Sequence, residues 1–226
     1  MNIPTHVAFI MDGNRRWAQK NKLALFFGHK NGVKQIETIT EHAGNKGIKV
    51  VTCWAFSTEN WNRPQNEILE LMDVFRDALA DPMVKRLYEN GVKIQILGDL
   101  SSFPSDIQKS VKEIREKSKD NTKLTLNIAL GYGGRKEIID AINCLLKSDK
   151  KEINEEEFKS YLYTGTQPDP DLIIRTGGEK RLSGYLPFQS VYSELYFTDT
   201  LWPDFNVEEF DKALDDFAQR QRNFGT

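Results

Sequence analysis

The chain has 226 residues, 39% hydrophobic and 28% charged, which suits a single α/β domain over residues 1–226 with a full buried core. Thirty-one Lys and Arg against thirty-three Asp and Glu leave a formal charge of −2, with no basic excess to grip a nucleic-acid backbone. No stretch approaches the roughly 18 apolar residues of a membrane span, and no charged region precedes the short apolar run near the amino terminus, so a cytoplasmic protein is expected.

A first strand is expected over His6 to Met11, and MDGNRRWA (Met11 to Ala18) follows it directly. Asp12 there presents a carboxylate beside Gly13 and Asn14, where the backbone can approach a ligand closely, with Arg16 and Trp17 adjacent. Taken alone, Asp12 reads equally well as a turn residue capping the next helix. Gly28-His29-Lys30 leads into a helical pattern over Asn31 to Asn45. The second strand, Lys49 to Phe56, runs into AFSTENWNRP (Ala55 to Pro64). Ser57, Thr58, Glu59 and Asn60 stand there between Ala55, Phe56 and Trp61, a frame for a ligand with a polar head and a greasy body; the plainer reading is a helix cap with a nearby acid.

From Gln65 to Glu89, apolar residues recur at Ile68, Leu71, Met72, Phe75 and Leu79 with a helical period, and Pro82 should kink or break the helix. A strand over Val92 to Gly98, a helix over Ser105 to Lys117 entered at Pro104-Ser105, and a strand over Lys123 to Leu130 lead to GYGGR (Gly131 to Arg135). Those glycines serve close strand-to-helix packing or phosphate contact equally well, and their spacing matches neither an NTPase nor a dinucleotide loop. Helices are expected over Arg135 to Leu146 and Glu155 to Tyr163, with turns at Lys147 to Glu152 and Thr164 to Pro170. The strand Asp171 to Arg175 then opens IRTGGEKRLSGYLPF (Ile174 to Phe188). Its Arg175, Lys180, Arg181, Thr176 and Ser183, around Gly177-Gly178 amides able to turn inward, read as a pyrophosphate clamp, because planar guanidinium forks bind phosphate oxygens in pairs; the plainer reading is a solvated charge run, which its place directly after a strand disfavours. A last strand, Glu194 to Thr198, and a helix over Val207 to Gln221 entered at Asn206 complete the pattern.

Alternating strands with little polar patterning and interleaved helices predict an α/β fold: one doubly wound, mostly parallel six-stranded sheet flanked by helices, with the four chemistry-bearing turns on a common rim. Cys53 and Cys144 have no metal or redox spacing and read as reduced core residues.

Together MDGNxRWA, FSTENWxRP, GYGGR, IRTGGExRLS and SELYFTDTLWPDF resemble the cis-prenyltransferase family, from His6 to about Phe224. The resemblance implies Mg2+-dependent addition of isopentenyl diphosphate to farnesyl diphosphate, giving a long Z-prenyl diphosphate of undecaprenyl type, the lipid carrier precursor for cell-wall glycan. It implies that Asp12 engages Mg2+ and the allylic diphosphate, with Gly13, Asn14, Arg16 and His29 around it. Asn60 and Ser57 would serve the condensation, with Thr58, Glu59 and Arg63 in the same substrate segment and Trp17 and Trp61 as nearby aromatics. Arg175, Arg181 and Ser183 would clamp isopentenyl diphosphate, and Glu194 would support the metal. A homodimer, a C-terminal tail shared with the partner subunit, a hydrophobic tunnel walled by the Gln65 to Glu89 helix, and a peripheral membrane contact for product release are implied as well.

Three positions depart from the family pattern. Arg15 stands where Gly is usual, and Leu25 stands where an Arg contacts the allylic diphosphate, so Arg15 is expected to supply the missing cation. Asn223-Phe224-Gly225 replaces Arg-x-Gly, leaving Arg222 one place early. The competing reading, a non-catalytic prenyl-lipid-binding or partner subunit of the same fold, would be expected to lose Asp12 or the segment from Arg175 to Ser183. An E-prenyltransferase lacks support, since the lone Asp215-Asp216 pair is followed by Phe-Ala-Gln rather than the DDxxD pattern.

Overall fold

The computed structural model describes residues 2–221. Strands β1 (His6–Ile10), β2 (Val50–Ser57), β3 (Val92–Leu97), β4 (Leu124–Tyr132), β5 (Leu172–Arg175) and β6 (Glu194–Phe197) form one sheet in the order β3-β4-β2-β1-β5-β6. Every pairing is parallel, so all carboxyl ends share one edge. Residues of β1 alternate between two cores: Val7 and Phe9 face one, Ala8 and Ile10 the other. This is why Val7 to Ile10 are all apolar.

From β1 the chain winds first toward β2 and β4, then returns with β5 on the other flank of β1. The turns after β1 and β5 therefore part at a topological switch point, the place where an open parallel sheet leaves a crevice. Ile10 pairs in register with Arg175, so Asp12 and Arg175 emerge side by side.

Eight α-helices occur among the described residues: α1 (Asn14–Lys20), α2 (Leu25–Asn45), α3 (Gln65–Ala80), α4 (Pro82–Glu89), α5 (Ser105–Ser118), α6 (Gly134–Leu146), α7 (Glu155–Lys159) and α8 (Val207–Gln219). The expected break at Pro82 is present. Asp81 ends α3 and caps α4, its Oδ1 accepting from Met83 N at 2.8 Å. Asn206 caps α8 in the same way through Glu209 N at 3.0 Å.

Two helical boundaries differ substantially from the sequence pattern. The segment read as a turn after Asp12 contains α1, and α2 begins at Leu25 rather than Asn31. Glycines at 28 and 32 weaken the helical signal, yet both are points of close approach: a Cβ on Gly28 would lie 2.1 Å from the Asn14 carbonyl oxygen. Tertiary packing of α2 on α1 overrides the local propensity. Helix α7 ends at Lys159 rather than Tyr163, and α8 at Gln219 rather than Gln221. Cys53 is buried as expected, whereas Cys144 is exposed on α6, a correction to its assignment to the core.

Candidate active site

Asp12 follows β1, and its backbone is fixed by two donors to its carbonyl: Thr176 Oγ1 at 2.7 Å and Trp202 N at 3.0 Å. Its carboxylate stands between two guanidinium groups, with Arg175 Nη2 at 3.0 Å from Oδ2 and Arg16 Nη2 at 3.4 Å from Oδ1. Arg175 is almost fully buried and links the two turns. Its Nη1 donates to Ser183 Oγ at 3.0 Å and to the Arg181 carbonyl, while its buried Nε has no partner among the described residues. Ser183 sits at φ 53°, a left-handed conformation that a serine holds only under constraint from its surroundings, as is common at ligand sites.

These groups line a pocket of about 260 Å³ at the switch point. Asn14, His29, Ser57, Asn60 and Arg63 join Asp12, Arg175 and Ser183 there. Asn60 Oδ1 accepts from Ser57 N at 3.0 Å, which holds the start of the turn Thr58–Asn62 against the pocket. Trp54, not anticipated as a site residue, also lines the pocket; its buried Nε1 is a second donor without a partner. No sequence signal separates it from an ordinary strand aromatic.

A crevice adjoining the pocket is lined by Arg15, Leu25, His29, Arg63 and Glu67. Arg15 Nη1 lies 3.2 Å from Glu67 Oε2. Burial, then the Arg63 and Arg15 charges, lower the His29 pKa to about 4, so its ring is neutral near pH 7. Burial and the facing Arg15 likewise lower that of Arg63. Around the pocket and crevice, the cations Arg15, Arg16, Arg63 and Arg175 stand with the acids Asp12, Glu67 and Glu70, a small cationic excess that suits an anionic ligand.

Several expected contacts are redirected. The Gly177 and Gly178 amides donate to Thr200 O and Thr198 O, both at 2.8 Å, so they do not turn toward a ligand. Gly177 is required for a different reason, since at φ 82° a Cβ there would lie 2.6 Å from Arg16 Nη2. Arg181 is exposed and paired with Glu179 at 2.5 Å, contributing only its carbonyl. Trp17 Nε1 donates to Asp204 at 2.6 Å, a packing role away from the pocket. Trp61 lies in a ring cluster with Phe56 and Phe103 at centroid separations of 4.9 and 5.0 Å and does not line the pocket, whose aromatic side chains are Trp54, Phe56, Phe75 and Trp202. Thr58 packs beside Gly133 and Glu59 is exposed. The GYGGR turn is structural: Gly134 N donates to Gly184 O at 3.1 Å, and no residue of the turn reaches the pocket.

Glu194 is placed apart from Asp12 within the chain. It begins β6, at the amino edge of the sheet, where it ion-pairs with Arg220 at 2.8 Å. Asp12 lies past the opposite edge, so the two carboxylates do not meet within one chain. Among the described residues no three His, Cys, Asp or Glu side chains gather to hold a metal. A lone, partly exposed Asp12 still fits Mg2+, which is commonly held by one or two carboxylates with substrate phosphates and water completing its shell.

Behind the pocket, sharing Val33, Ile36, Ala55 and Phe75 with it, is a wholly apolar cavity of about 110 Å³. Phe75, Ala78 and Leu79 of α3 wall it, α4 adds Met83 and Leu87, and α5 adds Val111 and Ile114. Ile68 and Met72 pack instead against Phe56 and Phe103, so the stripe on α3 divides between core and cavity.

Comparison with known proteins agrees with this geometry. The Prenyltransf family model, described as "Putative undecaprenyl diphosphate synthase", matches residues 10–225. An isoprenyl transferase of Fusobacterium nucleatum is 48% identical over 99% of this chain and 96% of its own length. The farnesyl-diphosphate-specific ditrans,polycis-undecaprenyl-diphosphate synthase of Pasteurella multocida is 47% identical over 99% of this chain and 95% of its own length. Among solved structures, lavandulyl diphosphate synthase from Lavandula x intermedia, in complex with dimethylallyl diphosphate, superposes with a TM-score of 0.94 at 34% identity, covering 99% of both chains.

Proposed function

This chain belongs to the undecaprenyl diphosphate synthase family of prenyltransferases, and from that membership and the pocket we propose that it is a single-domain cis-prenyl chain-elongating transferase. Its substrates are farnesyl diphosphate and isopentenyl diphosphate, its product a long-chain, undecaprenyl-type diphosphate, and its place of action the cytoplasm. The observation that carries the reading is the junction of one arginine-rich polar pocket with one wholly apolar cavity, a shape matched to a ligand with a diphosphate head and a hydrocarbon tail.

In this reading the allylic C–O bond breaks and its electron pair leaves with the diphosphate. The isopentenyl double bond forms the new C–C bond, and a proton is lost to leave a cis double bond. Negative charge grows on the departing diphosphate, so Arg16, Arg63 and Arg175 stabilise the transition state more than the ground state. Arg175 spans both turns and fixes the distance between the departing and the retained diphosphate. Asp12 is the residue that would hold Mg2+, which when bound neutralises phosphate charge. Asn60, with its amide oxygen occupied by Ser57 N–H, positions substrate rather than acting as base, leaving the departing diphosphate as proton acceptor.

The homodimer belongs to the same proposal. It is supported by an exposed apolar stripe on α6, where Ile139, Ile142 and Leu146 are 55%, 37% and 75% exposed. The tail residues Arg222, Asn223, Phe224 and Gly225 lie outside the described residues. Incubation with farnesyl diphosphate, labelled isopentenyl diphosphate and Mg2+, followed by sizing of the products, should give a ladder ending in one long species. Absence of any extension by the intact protein would favour the non-catalytic binding subunit.

A further inference from the structure

The apolar cavity behind the pocket has two ends. It meets the pocket at Val33, Ile36, Ala55 and Phe75, near the carboxyl edge of the sheet. The direction of the chain locates the other end. Helix α5 starts beyond the carboxyl end of β3 and returns the chain to the start of β4, so its last turns lie toward the amino edge, away from the pocket. Ile114 and Arg115 stand in that part of α5, Leu87 stands near the end of α4, and Ile94 and Leu126 stand early in β3 and β4. All five line the cavity and mark its far end.

Arg115 differs from the rest of this lining. Among the described residues that line the cavity it alone is charged, and it alone is exposed. Leu87, Ile94, Ile114 and Leu126 beside it are buried and belong to the hydrophobic core. Since the cavity wall is wholly apolar, what Arg115 turns toward it is the methylene stem, with the guanidinium kept in water. Packed core side chains close the cavity elsewhere at this end, whereas here one flexible side chain separates it from solvent.

We propose that Arg115 plugs the far end of the cavity and is the residue at which the hydrocarbon tail of a bound prenyl diphosphate stops, which makes it a determinant of product length. The inference rests on the proposed chain elongation: a tail whose diphosphate is held in the pocket grows toward this end. A tail short of Arg115 gains apolar burial with each added unit. Going further would either pull the guanidinium out of water or push the end of the chain into water, and each removes that gain. Truncation of Arg115 to alanine frees room for about one five-carbon unit while leaving the core side chains in place.

Binding of preformed prenyl diphosphates of increasing length separates this proposal from the catalytic reading, because nothing is extended when isopentenyl diphosphate is left out. Measured by displacement of labelled farnesyl diphosphate, affinity should rise with each unit and then level off. In R115A the levelling should come about one unit later, and with isopentenyl diphosphate and Mg2+ supplied its product ladder should end about one unit longer. R115K, which keeps an apolar stem and a charged head, should match the unaltered protein. So should K112Q, on the same helix but not lining the cavity. Equal affinity of all variants for farnesyl diphosphate shows that they are folded. The proposal is overturned if R115A levels off where the unaltered protein does, or if R115K or K112Q lengthens the series as much as R115A. Binding of the series with no extension by the unaltered protein would instead overturn the catalytic reading, and the position of the levelling in R115A would still decide the plug.

Discussion

Arg15 illustrates how one side chain changes meaning once its neighbours are known. Leu25 leaves one wall of the crevice without a charge, and Arg15 stands in that same crevice with Arg63 and His29. Its carboxylate partner among the described residues, Glu67, lies 3.2 Å away, and with Arg15 itself exposed to solvent the ion pair contributes little stability and can be displaced by a diphosphate. Arg15→Gly should therefore raise the KM for farnesyl diphosphate about tenfold, equivalent to ~1.4 kcal/mol, and leave that for isopentenyl diphosphate nearly unchanged. A KM for farnesyl diphosphate equal to that of the unaltered enzyme would sink the compensation. Arg181 is a second such case: it reads as a clamp residue from its segment, and its exposed side chain rests on Glu179 at 2.5 Å while its carbonyl accepts from Arg175.

At the scale of elements, α3 and α4 wall the apolar cavity behind the pocket. The apolar stripe on α3 is legible as a buried face; that Phe75 and Leu79 face a cavity while Ile68 and Met72 face core depends on where α5 lies beneath them. Each five-carbon unit gains up to roughly 4 kcal/mol on burial, so elongation is favoured until the cavity ends. Ala78→Phe should end it sooner and shift the product ladder to shorter species, at a stability loss of about 1–3 kcal/mol from overpacking. Mass spectrometry of the products tests this; an unshifted ladder removes α3 as the wall. The early start of α2 belongs to the same scale, because Gly28 lowers helix propensity locally and is nevertheless the residue that lets α1 and α2 touch.

For the whole molecule, two histidines tie the fold to pH. His6 is fully buried, with Nε2 2.7 Å from Thr52 Oγ1 and Nδ1 2.8 Å from the Pro168 carbonyl, and burial lowers its pKa to about 4. His29 is lowered to about 4 by burial and the nearby arginines. A histidine whose folded pKa lies below its unfolded value stabilises the fold fully above pH ~6.5 and loses that contribution as pH falls toward 4, because the unfolded chain takes up the proton first. Each is worth on the order of 3 kcal/mol at neutral pH. Urea unfolding should give a free energy several kcal/mol lower at about pH 4.5 than at about pH 7, and a flat profile over that range would contradict both assignments.

What the sequence determined by itself was the alternation of doubly buried strands with helices, the break at Pro82, and the four polar turns, because hydrophobic period and turn chemistry are local properties. The family motifs also marked Asp12, Asn60, Arg63, Arg175 and Ser183, all of which line the pocket. Tertiary structure alone decided that Glu194 opens its strand at the far edge of the sheet, that Gly177 and Gly178 spend their amides on the segment after β6, and that Trp54 brings an unpartnered N–H to the site. The physical reason is common to all three. A motif fixes which groups are near one another along the chain, whereas strand order, register and the competition for each hydrogen-bond donor fix which of them face the same space.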